Sequence, residues 1–233
     1  HNYLNDVTVF NNYSAKTKFG EKGFNTDKIR VIHNSIHVPL LKKVNKSGKE
    51  IRIVSVCRFV RSKDFNTALH SFKELAEKNL SKELKYYIAG YGTMESEIRS
   101  LARDLGIDDK VVILINPAAI PEILKTCDIY LSTSLFEGLS NSIMEAMVAG
   151  LPVVATDAGD GRYLVKDGSN GYIVPCRDIK MIVEKLHYLL NNENKRVDFG
   201  MKSYSIIETE FSETKLIDNY LKLISEFYLQ EVS

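Results

Sequence analysis

Short, nearly unbroken apolar runs alternate with segments of helical period along most of this chain, and that alternation limits the fold more than any other feature. Ile51–Cys57, Leu84–Ala89, Val111–Ile115, Ile129–Ser132 and Pro152–Thr156 read as strands. Asp64–Asn79, Met94–Leu105, Ile120–Cys127 and Asn141–Ala149 read as the helices between them. Asp64 is placed to cap the first of these, with Leu69, Phe72, Leu75 and Ala76 on one face. Gly106 and Gly150 stand where left-handed helix ends are expected. Strands without polar alternation are covered on both faces, so the pattern describes a parallel sheet between two helical layers. Right-handed crossovers close such a sheet into an α/β, Rossmann-like doubly wound domain.

The two ends of the chain differ from this middle. Asp6–Phe10 and Ile29–Ile32 resemble strands and Tyr13–Gly20 a helix, but three elements are too few to bury a core. His37–Glu50, with Pro39 and Gly48, has the composition of a linker. Residues 1–38 are therefore expected to be the remnant and linker of a domain lying upstream, and residues 39–233 a second domain. The opening at His1 suggests a trimmed chain. Ile179–Leu190, Asn194–Glu210 and Glu213–Val232 read as three amphipathic helices that finish the second domain.

Composition narrows the function. With 31 basic against 30 acidic residues and no Trp, the chain lacks both the field and the stacking surfaces that a nucleic acid needs. Cys57, Cys127 and Cys176 are odd in number and widely spaced, as expected of reduced thiols in a cytoplasmic protein. Neither CxxC nor HExxH occurs, and the five His are not clustered, so no metal site is expected. No apolar stretch approaches a membrane span and no secretory signal is visible.

Ligands of an open doubly wound sheet bind outside the carboxyl ends of the strands. The loop after Ile129–Ser132 runs from Ser134 through Glu137, Gly138, Leu139, Ser140, Asn141 and Ser142 into a helix that carries Glu145. A helix start offers free amides to an anion, and Gly138 admits close approach to the backbone. Carboxylates suit sugar and ribose hydroxyls rather than phosphate. Glu145 also fits a capping box opened by Ser142, and Glu137 alone could be a solvated loop residue. After the first strand, Arg58 and Lys63 supply a planar fork and a point charge, fit for a diphosphate or for a solvated basic turn. Arg61 reads as solvated. Gly90-Tyr-Gly92 lacks the third glycine of a dinucleotide fingerprint, having Glu95 there, and reads as a tight turn. Asp157-Ala-Gly-Asp160-Gly-Arg162 ends another strand and reads as a hydrogen-bonded turn, or as one whose charges reach the same crevice.

Together these pieces resemble the retaining glycosyltransferases of family 4, the "glycosyl transferases group 1", which have the GT-B fold. Glu137 and Glu145, eight residues apart within FEGLSNSIMEAMVAGLPVVAT, look like that family's Glu-x7-Glu motif. RFVRSKD resembles its Arg-x4-Lys loop, and IAGYGTMESEIRSLARDLGIDDKVVIL its second and third strands. DGSNGYIVP resembles its last strand and IRVIHNSIHVP its interdomain linker, so the likeness covers essentially the whole chain.

The resemblance implies that this is the C-terminal, nucleotide-sugar-binding half, following a remnant of the N-terminal acceptor domain. Arg58 and Lys63 would hold the donor diphosphate as leaving group, aided by the amides near Asn141 and Ser142. Glu137 would meet the donor sugar, with Gly138, Leu139 and Ser140 lining its pocket. Glu145 would take the ribose hydroxyls, and the base would lie near Ile115 and Asn116. The reaction implied is transfer from a UDP-sugar, or a GDP-sugar, to a hydroxyl of a glycan or lipid-linked acceptor with retention, in bacterial surface polysaccharide synthesis. Its expected setting is the cytoplasm or the cytoplasmic membrane face, with membrane contact through the upstream domain.

No cofactor or metal is implied, and Asp-x-Asp is absent from the sequence. The family often carries Gly-Gly and a later Glu where this chain has Gly159-Asp160 and Tyr163, and INPAAIPEIL lacks its usual glycine. A fragment of this kind is expected to bind donor and scarcely turn over. A GT-B sugar-nucleotide epimerase and a non-catalytic nucleotide-binding homologue remain alternatives.

Overall fold

The computed structural model describes residues 7–39, 50–78 and 82–228. Six parallel strands form its main sheet: β3 (Glu50–Arg58), β4 (Glu83–Tyr91), β5 (Val111–Ile115), β6 (Ile129–Ser132), β7 (Val153–Thr156) and β8 (Gly171–Val174). Two more, β1 (Thr8–Phe10) and β2 (Ile29–Val31), pair in parallel beside helix α1 (Tyr13–Glu21). The main sheet runs β5-β4-β3-β6-β7-β8. Strand order thus reverses between β3 and β6, the position at which a doubly wound sheet opens a crevice.

Alternate residues of β3 explain its unbroken apolar run. Ile51 and Ile53 join one core with Leu69 and Phe72 of α2 (Phe65–Ala76), Ile98 of α3 (Glu95–Asp104) and Leu186 of α7 (Ile179–Asn191). Val54 and Val56 join the other, with Leu124 of α4 (Ile120–Thr126), Ile143 and Met147 of α5 (Asn141–Val148) and Ile207 of α8 (Glu193–Glu210). Phe72, Tyr86 and Phe199 are fully buried, each side chain contributing about 1.5–3 kcal/mol by leaving water.

Local chemistry sets the boundaries. Asp64 caps α2, its carboxylate accepting from the amide and the hydroxyl of Thr67. Gly106 and Gly150 are left-handed at the ends of α3 and α5. Buried Arg196 of α8 donates to the carbonyls of Leu189 and Leu190, closing α7. Gly200 lets α8 lie against α5, because a Cβ there would be 2.0 Å from the Gly150 carbonyl oxygen.

Two local expectations are corrected. Gly90-Tyr91-Gly92 is no tight turn: β4 runs on through Tyr91. Its glycines, at φ of 152° and 149°, let that strand end lie on the β3–α2 loop. A Cβ at Gly90 would be 1.8 Å from the Cys57 carbonyl oxygen, and one at Gly92 2.5 Å from that of Phe59. The Ser142–Glu145 capping box is also absent. Helix α5 starts one residue after its cap, Ser140, which puts Glu145 beyond the first turn. Most of the expected linker, 40–49, lies outside the described residues, as do residues 229–233 of the final helical segment, of which α9 spans Glu213–Tyr228.

Candidate functional site

The carboxyl ends of β3 and β6 deliver two loops into one crevice. The β3–α2 loop carries Arg58 and Lys63, and the β6–α5 loop runs from Thr133 to Ser140. Hydrogen bonds to the β3–α2 backbone tie them together. The Leu135 amide donates to the Ser62 carbonyl at 2.8 Å, and the Thr133 hydroxyl to the Lys63 carbonyl at 2.8 Å. Two side chains meet across this seam: the Lys63 ammonium pairs with Glu137 Oε1, which also accepts from the Ser134 hydroxyl at 2.8 Å.

That arrangement leaves binding capacity unused. An ammonium has three donors, and Glu137 takes one of those on Lys63. Glu137 Oε2 carries no bond among the described residues. Arg58 is exposed, with no side-chain hydrogen bond or ion pair among them. Helix α5 opens beside the pair with neither an acidic residue in its first turn nor a side-chain cap, so its first amides remain available to an anion.

Glu145 is half-buried and without a hydrogen-bond partner among the described residues; burial raises its pKa above the ordinary carboxylate value. A structural cap would be bonded, whereas this carboxylate is desolvated and free to accept. Ser140 and Ser142 face each other through their hydroxyls at 3.2 Å, and Leu139 is buried. Ile115 and Asn116 end β5 at the same edge, two strands out from β3, where the Asn116 amide bonds the Gly90 carbonyl. They stand apart from the Lys63–Glu137 pair.

Cys57, at the end of β3, is a free thiol whose pKa burial pushes up to about 12, Lys63 pulling in the opposite direction. It is therefore protonated at neutral pH and no nucleophile. Among the described residues no His, Cys, Asp and Glu cluster could hold a metal ion.

The turn after β7 packs on the β6–α5 loop, as its place at a strand end allows, but the hold of Asp160 on α1 was not legible in the sequence. Asp157 and Arg162 close it with a pair of bonds at 2.7 and 2.6 Å. Gly159, at φ 57°, lies so close to the β6–α5 loop that a Cβ would be 1.8 Å from the Glu137 carbonyl oxygen. Asp160 is buried and accepts from the Tyr13 and Ser14 amides and the Ser14 hydroxyl. Ser134 was likewise not singled out. A serine three residues before a glutamate in a polar loop is the only signal it leaves.

A doubly wound α/β domain with a polar crevice at its switch point is a nucleotide-binding type of architecture. The model of the family "Glycosyl transferases group 1" matches residues 39–205. The chain belongs to that family, the GT-B group 1 glycosyltransferases. The chain is 26% identical over 205 residues to the poly(ribitol-phosphate) alpha-N-acetylglucosaminyltransferase of Staphylococcus aureus, covering 87% of this chain and 40% of that enzyme. It is 24% identical to the lipopolysaccharide core biosynthesis glycosyltransferase LpsE of Rhizobium meliloti, over 94% of this chain and 64% of that one.

Among solved structures, Staphylococcus aureus TarM superimposes with a TM-score of 0.83 at 23% identity, covering 94% of this chain and 43% of TarM. Anabaena HepE in complex with UDP and glucose gives 0.84 at 19% identity, covering 95% of this chain and 63% of HepE. These likenesses show the fold, and the chain spans roughly two fifths to two thirds of the relatives' lengths. Among the described residues no helix is long and apolar enough to cross a membrane.

Proposed function

We propose that this chain carries the donor half of a retaining glycosyltransferase, which binds a UDP-sugar, or secondarily a GDP-sugar, in the β3/β6 crevice. The observation that carries the reading is the convergence of Arg58, Lys63, Glu137 and the uncapped start of α5 on one switch point. Two cations and a helix start suit a diphosphate, whose negative charge grows as the glycosidic bond breaks. Arg58 and Lys63 are then the electrostatic catalysts. Glu137 Oε2 accepts from a donor-sugar hydroxyl beside Gly138, Leu139 and Ser140. Glu145 accepts from the ribose, and Asn141 and Ser142 contribute amides. Ile115 and Asn116 stand at the edge assigned to the base.

UDP complexes of HepE and of the pneumococcal O-GlcNAc transferase GtfA favour UDP as the nucleotide. Relatives named for wall, lipopolysaccharide and amylovoran biosynthesis favour a glycan acceptor in bacterial surface polymers. No step in this scheme calls on a metal. The acceptor site belongs to an upstream domain in this reading, with residues 1–38 as its end and 39–233 as the donor domain; the family match begins at residue 39. Ile217, Tyr220, Leu221 and Ile224 form an exposed apolar stripe on α9 that suits contact with such a domain.

The test is calorimetric titration of UDP-, GDP- and ADP-sugars, with and without a chelator. Binding led by a UDP-sugar and indifferent to chelator is expected. Binding of none, or binding lost with chelator, contradicts the proposal. An epimerase would convert the donor sugar with no acceptor present, and a non-catalytic homologue would bind none of the three.

A further inference from the structure

The turn after β7 and the short helix α6 (Gly161–Leu164) that follows it grip the same upstream segment through two residues. Asp160 accepts the Tyr13 and Ser14 amides, at 2.5 and 2.9 Å, and the Ser14 hydroxyl. Tyr163 stacks on Tyr13, ring centroids 4.7 Å apart and 17° from parallel. His33, whose Nδ1 lies 3.0 Å from the Asn11 carbonyl, packs against both rings and Phe211.

A carboxylate bonded to the first amides of α1 satisfies donors that would otherwise remain open and complements the helix dipole. The result is a fixed place for Asn12, the cap of α1, whose side-chain oxygen accepts from the Ala15 amide at 2.7 Å. Its amide nitrogen lies 3.2 Å from where a Cβ would stand on Gly138. The Asp160 amide meanwhile donates to the Gly138 carbonyl at 3.4 Å. One residue therefore ties helix α1, through its carboxylate, to the loop that carries Glu137, through its backbone amide.

We infer that Asn12 walls the sugar end of the donor crevice and helps to select the sugar, and that Asp160 is the positioning residue that holds it there. The inference rests on the donor-binding reading. Asn12 Nδ2 donates to Asn11 Oδ1 at 2.7 Å and keeps its second N–H for a hydroxyl or acyl oxygen of the sugar. Gly138, with no side chain, lets Asn12 come up close against the loop.

The experiment compares the affinity of the full chain for UDP with that for UDP-N-acetylglucosamine, UDP-glucose and UDP-galactose; the ratio is the sugar's own contribution. Asn12→Ser keeps a good helix cap but removes the amide. It should cut the ratio by about threefold to tenfold, the size of one neutral hydrogen bond, with UDP affinity held. Asp160→Ala should do the same, and Asp160→Asn, which keeps one acceptor oxygen, should recover part of the loss. Should Asp160→Ala fail to fold, Asn12→Ser and Ser14→Ala carry the test. A ratio unchanged in these variants, or UDP and UDP-sugar affinities falling in proportion, overturns the inference. So does a parent chain in which no sugar adds to UDP affinity. A parent that binds neither UDP nor any UDP-sugar fails the donor reading itself.

Discussion

Lys63 and Glu137, 74 positions apart in sequence, form an ion pair where the β3–α2 and β6–α5 loops meet, with side chains only 15% and 17% exposed. A pair this sheltered is asymmetric in its response to mutation. Removing the cation leaves a desolvated carboxylate that, among the described residues, only Ser134 satisfies, whereas removing both charges leaves none. Lys63→Ala should destabilise the fold by about 1–3 kcal/mol, and adding Glu137→Gln should return part of that loss. Urea denaturation of the two single variants and the double variant checks it. Strictly additive losses would show that the pair is not coupled.

The layers of this fold were legible because each strand's apolar run and each helix's period report burial directly. Asp64 and Gly106 were legible as ends because cap chemistry is local. Arg58, Lys63, Glu137 and Glu145 stand out in the sequence as candidates, but the meeting of Lys63 with Glu137 comes from the strand order. The partners of Asp160 lie 146 and 147 positions away, on a segment that packs by tertiary contact alone. The capping box at Glu145 was a local pattern that tertiary structure overrode, since the polar loop continues to Ser140 before α5 begins.

In the donor-binding proposal, Glu145 sets stability against binding. Burial raises its pKa, so the folded state prefers the protonated form. That contribution is fully present below the ordinary carboxylate value and is lost as pH rises through the raised one. Glu145→Gln should therefore raise Tm at neutral pH while lowering donor affinity by about 1 kcal/mol or more, since charge-assisted bonds to the ribose weaken. In the parent chain, donor affinity should fall on acidification toward the raised pKa. A 2′-deoxy donor should lose much of its disadvantage in the variant. Calorimetry of both donors against both proteins checks this, and additive losses would return Glu145 to a structural role.

Two glycines separate effects on the site from effects on the fold. Ala at Gly159 would meet the Glu137 backbone, and Ala at Gly200 would meet Gly150, far along α8. Each substitution should cost about 1–3 kcal/mol of stability, the usual range for overpacking. Only Gly159→Ala should also weaken UDP binding, because it displaces the loop that carries Glu137. Thermal melts paired with titration of UDP distinguish the two.

The central claim is that the basic pair after β3 holds a diphosphate without a metal. Titrating UDP into the parent chain, Arg58→Ala and Lys63→Ala, each with a chelator present, tests it most directly. A charge-assisted contact is worth about 1.5–3 kcal/mol. The account predicts UDP binding by the parent that is indifferent to the chelator, and a loss of about tenfold or more in each variant. Equal affinity in all three proteins, or binding that disappears with the chelator, would contradict it.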